Sequence, residues 1–180
     1  ENGDLMLDKT LTRAEAVKII CVLKGITSYD SKDSVLVAEF PDVSKSHWAY
    51  EYILLAKAHE IVEGDENGYF NPEKAVTNEE FIKMLINTIG YGVRAESMGG
   101  YPAGYTANAS MLGITNGLKL KTNTSAIRKD VSIMICNALD LPLMEKSIES
   151  SFGIDNVSYV IFDGENDLPL KTLRTELSKK

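Results

Sequence analysis

Apolar and polar positions follow a helical period through most of this chain and change period once, near the end. From Leu11, LTRAEAVKIICVLKG sets Ala16, Ile19, Ile20 and Leu23 at i, i+3, i+4 and i+7, the stripe of one helix face. VTNEEFIKMLINTIG from Val76 repeats the stripe without a gap, with Phe81, Met84, Leu85 and Thr88. AIRKDVSIMICNALD from Ala126 repeats it again, with Val131, Met134, Ile135 and Ala138. Thr12 with Glu15 and Thr77 with Glu80 fit the S/T-x-x-E capping box. The third copy has Ile127 and Asp130 there, so its box is broken.

A second element repeats as well. HWAYEYILLAKAHEIVEG aligns with GYPAGYTANASMLGITNG, matching Trp48 with Tyr101, Tyr52 with Tyr105, Ala56 with Ala109 and Ile61 with Ile114. Gly64 and Gly117 end these segments and fit helix C′ glycines, and Pro102 fits a first helical turn. The unit is helix, Gly-containing loop, helix, recurring at roughly 50 residues. In its loop, Asn67-Gly68 marks a tight turn and Phe70 an apolar anchor. The first copy holds only the end of the loop and the second helix; its opening helix is either lost or upstream. One such pair cannot bury its own apolar face, whereas three around a shared axis can.

After Leu141-Pro142-Leu143 the period falls to two. VSYVIF, residues 157–162, reads as a strand followed by the turn signal Asp163-Gly164, with a hairpin expected against residues 168–176. The expected division is 1–25, second half of the first repeat; 26–39, linker; 40–92, second repeat; 93–144, diverged third repeat; 145–180, a β-prone tail or the start of a further module. The expected fold class is mainly α, a pseudo-threefold bundle of helix-loop-helix repeats with the first incomplete.

Charge narrows the partners. The 180 residues carry a formal net charge of −7 and no Lys/Arg run, a poor match for nucleic acid or an anionic membrane. No stretch approaches the roughly 18 apolar residues of a membrane span, and no signal peptide is visible. Cys21 and Cys136 share one repeat position in apolar patterns, so both are expected to be buried. Counted from Asp65, a calcium loop would place Tyr69, Phe70 and Val76 where an acceptor, a glycine and a glutamate are needed, so the loop fails as an EF-hand. His47 and His59 are too few for zinc. Neither a nucleophile elbow nor a phosphate-binding loop occurs, and Glu79-Glu80 reads as solvated surface. No cofactor, metal or catalytic role is expected. Trp48 and Tyr52, four apart, read as core, with stacking on a sugar face as the alternative.

Phe40, Asp42 and Val43 (F-x-D-V), His47-Trp48-Ala49, the loop from Gly64 through Gly68-Tyr69-Phe70 to Pro72, and LTRAE at Leu11–Glu15 together resemble the S-layer homology (SLH) domain. The likeness covers about residues 4–143. It implies a non-enzymatic module, usually three repeats, that holds surface proteins to a secondary cell-wall polysaccharide, often through an anionic pyruvate-bearing sugar. An extracellular location at the cell surface or S-layer follows, with other surface-layer proteins as further partners. Ligands lie in grooves between repeats, and the arginine of T-R-A-E is a main contact. By position that role falls to Arg13 and Arg128, with Thr12, Trp48 and Asp42 near the grooves. The alternative is a degenerate module serving protein–protein interaction or assembly without sugar binding.

The residues supply a physical reason. A cation in a first helical turn opposes the macrodipole. A helix N-terminus with free N–H groups beside a planar guanidinium instead suits a carboxylate. The competing reading pairs Arg13 with Glu15 or Asp8. If Arg13 serves a ligand, its replacement by alanine should weaken binding and leave the melting temperature almost unchanged. The second copy has Asn78 in place of arginine, so its groove is either inactive or served by Lys74 or Lys83.

Overall fold

A computed structural model describes residues 5–26, 39–151, 154–165 and 168–179. Within them the protein is mostly helical, with a small antiparallel sheet. The three stripes form α1 (Arg13–Lys24), α3 (Asn78–Thr88) and α6 (Arg128–Ala138). Both predicted capping boxes are made: the Thr12 and Thr77 hydroxyls accept from the Glu15 and Glu80 amides, and those carboxylates accept in return. Ile127 caps α6 without a side-chain hydrogen bond. The predicted faces turn inward, with Ala16, Ile20, Phe81, Leu85, Val131 and Ala138 all buried.

Between them lie α2 (Tyr50–Ala58), α4 (Gly92–Ser97) and α5 (Ala103–Met111). α2 packs on α1 and α5 on α3. Gly64 and Gly117 are not the helix-ending glycines. α2 stops at Ala58 and α5 at Met111, and the left-handed positions just beyond are Glu60 (φ 56°) and Gly113 (φ 76°). The helices are shorter than the alignment suggested because the chain turns inward early to bury Ile61 and Ile114.

Three short extended stretches precede α1, α3 and α6 and bridge one another: Thr12 to Ala75, Thr77 to Ser125, and Ile127 to Thr10. At their centre the backbone closes a ring. Leu11 N–H donates to Ala126 O (3.2 Å), Ala126 N–H to Val76 O (2.8 Å) and Val76 N–H to Leu11 O (3.0 Å). All three residues are buried, so these amides find each other where no water could satisfy them.

The C-terminal region departs from expectation. β1 (Leu143–Ser151) pairs antiparallel with β2 (Ile154–Phe162), Leu143 opposite Phe162. The partner strand therefore precedes VSYVIF. Residues 168–176 do not supply it, because Thr172 caps a short helix, α7 (Leu173–Leu177), that packs on α1 and buries Leu173. Gly90 (φ 89°) lets β1 lie against the body, since a Cβ there would collide with the Met144 carbonyl oxygen. The proposed linker, 26–39, falls outside the described residues except for Ile26 and Glu39.

The two thiols part company. Cys21 is buried and its Sγ–H donates to Tyr52 O (3.4 Å), whereas Cys136 is exposed. The outer stripe of α6 runs Lys129, Ser132, Cys136 where α1 has Ala14, Val17, Cys21. No described helix packs on α6 as α2 does on α1.

Candidate functional site: three clefts between repeat-like units

Three clefts open beside the N-termini of the three long helices. Each has at its mouth the residue that follows the helix-capping position: Arg13, Asn78 or Arg128.

The Arg13 cleft is the tightest, about 240 Å³. The Arg13 side chain is 11% exposed, and each of its three nitrogens has a protein partner. Its Nη1 pairs with Glu80 Oε1 (3.1 Å), Nε–H donates to Phe70 O (2.8 Å), Nη2–H donates to Glu63 O (3.4 Å), and the guanidinium lies 4.8 Å from the Phe70 ring centre. The partner is thus neither Glu15 nor Asp8 but the capping-box glutamate of the next helix. The bridge between Thr12 and Ala75 brings the two helix N-termini side by side, so that Glu80, with Oε2 on its own Thr77 amide, offers Oε1 to Arg13, as Glu15 offers its Oε1 to Arg128. Lys83 in this cleft is tied to Glu63 (2.8 Å). Asp65 on the rim accepts from the Tyr69 and Asn67 amides and the Asn71 side chain. The Tyr69 amide, then the Asn71 side chain, hold its carboxyl below the usual range.

The Arg128 cleft uses the same positions, more loosely. It measures about 600 Å³ and is mainly apolar, with Leu5, Leu7, Ile19, Val131 and Ile135 in its walls. Arg128 Nη2 stands 3.6 Å from Glu15 Oε1, and both side chains are about one-third exposed (34% and 30%). Lys18 occupies the place of Lys83. It is exposed and sits 5.7 Å from the Trp48 ring centre and 5.8 Å from that of Tyr52. Trp48 itself is 53% exposed, so the expectation that it belongs to the core does not hold; the neighbouring Ala49 and Ile53 are the buried residues. Tyr52 is half-buried against the core.

In the third cleft, about 320 Å³, Asn78 replaces arginine. Lys74 and Lys83, considered as substitutes, line the Arg13 cleft and not this one. The only lysine here is Lys121.

The remaining two candidates have defined structural duties. Thr12 is the cap of α1. Asp42 Oδ1 and Oδ2 accept from the Phe70 and Asn71 amides (2.9 and 2.6 Å), pinning the loop that supplies a wall of the Arg13 cleft. Sequence reasoning missed Lys18, although its register with Lys83, five residues after Arg13 and Asn78 respectively, was visible. No group of three or more His, Cys, Asp or Glu side chains suited to a metal occurs among the described residues.

Comparison with known proteins places this geometry in context. Residues 39–82 match the S-layer homology domain. The chain is 30% identical over 154 residues to the Middle cell wall protein of Brevibacillus brevis, covering 86% of this chain and 14% of that protein. It is 30% identical over 145 residues to a Surface layer protein of Brevibacillus choshinensis (81% and 13%), and 26% identical over 139 residues to a Cell surface protein of Thermoanaerobacter kivui (77% and 18%). The chain thus spans less than a fifth of each of these relatives.

Proposed function

We propose that this chain, whose residues 39–82 match the S-layer homology domain, is a module of that kind and anchors a surface protein non-covalently to secondary cell-wall polysaccharide, through an anionic and pyruvate-bearing sugar, outside the cell. The repeats act as a pseudo-threefold set, a reading supported by the ring of hydrogen bonds through Leu11, Val76 and Ala126. The observation that carries the functional reading is the Arg128 cleft. There a half-open guanidinium, the exposed Lys18 ammonium and the exposed Trp48 ring face one cavity. Two cations suit a carboxylate, and an indole face suits the C–H side of a sugar ring. The tighter Arg13 cleft, with its guanidinium satisfied by protein groups, serves mainly to lock neighbouring units together.

Co-sedimentation with purified cell walls tests the proposal. Binding should be strong to intact walls and lost once the secondary polymer is stripped. Equal binding to stripped walls, or none to either, would instead favour the assembly role, for which the replacement of arginine by Asn78 speaks.

A further inference from the structure

The hairpin of β1 and β2 has one guarded edge and one bare edge. Met144 N–H donates to Ile89 O (3.0 Å), and the Met144 carbonyl oxygen lies against Gly90. Met144 therefore turns its backbone groups away from β2. Alternation along an antiparallel ladder turns those of Lys146 and Ile148 the same way. Opposite them, Ile161, Tyr159 and Val157 turn theirs to the far side of β2. Among the described residues nothing bonds to the backbone of these three on that side. The edges also differ in composition. β1 is held to the body at Met144 and carries Glu145, Lys146 and Glu149, charges of the kind that keep an edge from recruiting another strand. β2 has no charge, proline or glycine from Asn156 to Phe162. The side chains of its three outward residues share a face with Ile148, and that face is open: Ile148 is 55% exposed, Val157 50%, Tyr159 41% and Ile161 39%.

The partner that fits this edge is the edge itself. About a two-fold axis through Tyr159, a second β2 laid antiparallel sets Tyr159 opposite Tyr159, Val157 opposite Ile161 and Ser158 opposite Val160. The outward amides of 157, 159 and 161 then meet in hydrogen-bonded pairs, and their aromatic and β-branched side chains meet across the strands. No charge opposes a like charge between residues 157 and 161. A two-stranded sheet is marginal, whereas four strands with one apolar face are not. We propose that the outer edge of β2 pairs with β2 of a second copy of this chain, joining two molecules through one four-stranded sheet. Val157, Tyr159 and Ile161 line none of the three clefts, so this pairing stands apart from the anchoring role. One strand pair is a small interface, so the pairing is weak and reversible. The net charge of −7 on each chain opposes it, and salt strengthens it by screening that repulsion.

Sedimentation equilibrium of the intact chain, without cell walls, tests this. Monomer and dimer should exchange with a dissociation constant on the order of 0.1 mM, and the dimer fraction should rise with salt. Tyr159→Glu puts a carboxylate opposite Lys146 within the hairpin, where it is welcome, but opposite its own copy across the axis. It should weaken pairing about tenfold or more and leave the melting temperature within about 2 °C. Ile148→Glu lies on the same apolar face but on β1, and should weaken pairing less than about threefold. Equal loss in the two variants would mean that apolar faces stack and edges do not pair, which overturns the proposal. So does a dimer indifferent to Tyr159→Glu. A chain still monomeric at about 1 mM in high salt overturns it as well, and hands the edge to a strand of a different polypeptide.

Discussion

Replacing Arg13 by alanine distinguishes a ligand contact from a structural lock. The side chain is 11% exposed and makes an ion pair, two hydrogen bonds to carbonyls and a cation–π contact, all to residues at least 50 positions away in sequence. A hydrogen bond from a charged donor is worth about 1.5–3 kcal/mol and a partly buried cation–π contact about 0.5–1 kcal/mol. The long Glu63 contact adds little, and the ion pair is discounted because Glu80 keeps 20% exposure. The expected loss is about 2–4 kcal/mol. For a chain of this size it lowers the melting temperature by about 5–15 °C. Arg13→Lys keeps the charge but not the fork and should recover less than half. Thermal and urea unfolding read both. A fall of less than about 2 °C with wall binding abolished would refute the reasoning and restore Arg13 as a ligand contact.

Arg128→Ala, Lys18→Ala and Trp48→Ala should each weaken wall binding about tenfold and move the melting temperature by no more than about 2 °C, because Lys18 and Trp48 are exposed and Arg128, one-third exposed (34%), is loosely paired. The binding loss should itself shrink at high salt for the two cations but not for Trp48. Asp42→Ala leaves two amides without acceptors and should cost about 1–3 kcal/mol, read as a lower urea midpoint at constant slope. At pH 8 a maleimide should label the native chain once, at Cys136, and twice after unfolding. Burial pushes the Cys21 thiol up to about 12, against roughly 8.5 in an unfolded chain. Its contribution to stability is therefore complete below about pH 8.5 and is lost as pH climbs towards about 12, a slope that Cys21→Ala should remove.

The helical stripes, both capping boxes and the broken third one were legible in the sequence because each depends on residues within one turn of each other. The clefts were only half legible. Repeat register located Arg13, Asn78 and Arg128, yet register says nothing of what stands opposite. Glu80 was read as surface, although the bridge between Thr12 and Ala75 sets it against Arg13. Trp48 and Tyr52 share a helix-like spacing, but Trp48 falls ahead of the first turn of α2, so the four-residue rule did not apply to it. Cys136 shared a register with Cys21 and is exposed, since no described helix packs on α6 as α2 does on α1, a long-range fact that no local pattern carries. The tail misled for a similar reason. β2 was recognisable from its β-branched run, while its partner, LMEKSIESS, is too polar to announce itself.

The closed circle of amides through Leu11, Val76 and Ala126 bears on how the molecule is made. In an open array each unit leans only on its neighbours, so the array can grow or shed a unit at either end. Here the stretches before α1, α3 and α6 each bridge the other two, and shutting that circle brings residue 11 to residue 126. So long a closure raises the contact order and slows folding, and the units gain their shared stability only at that final step. A fragment ending at Gly92 should therefore melt without a cooperative transition, not with two-thirds of the parent's stability. Gain or loss of one helix pair during evolution would be an all-or-none event, which leaves point changes, such as the asparagine at position 78, as the gentler way to make the three clefts differ in lining.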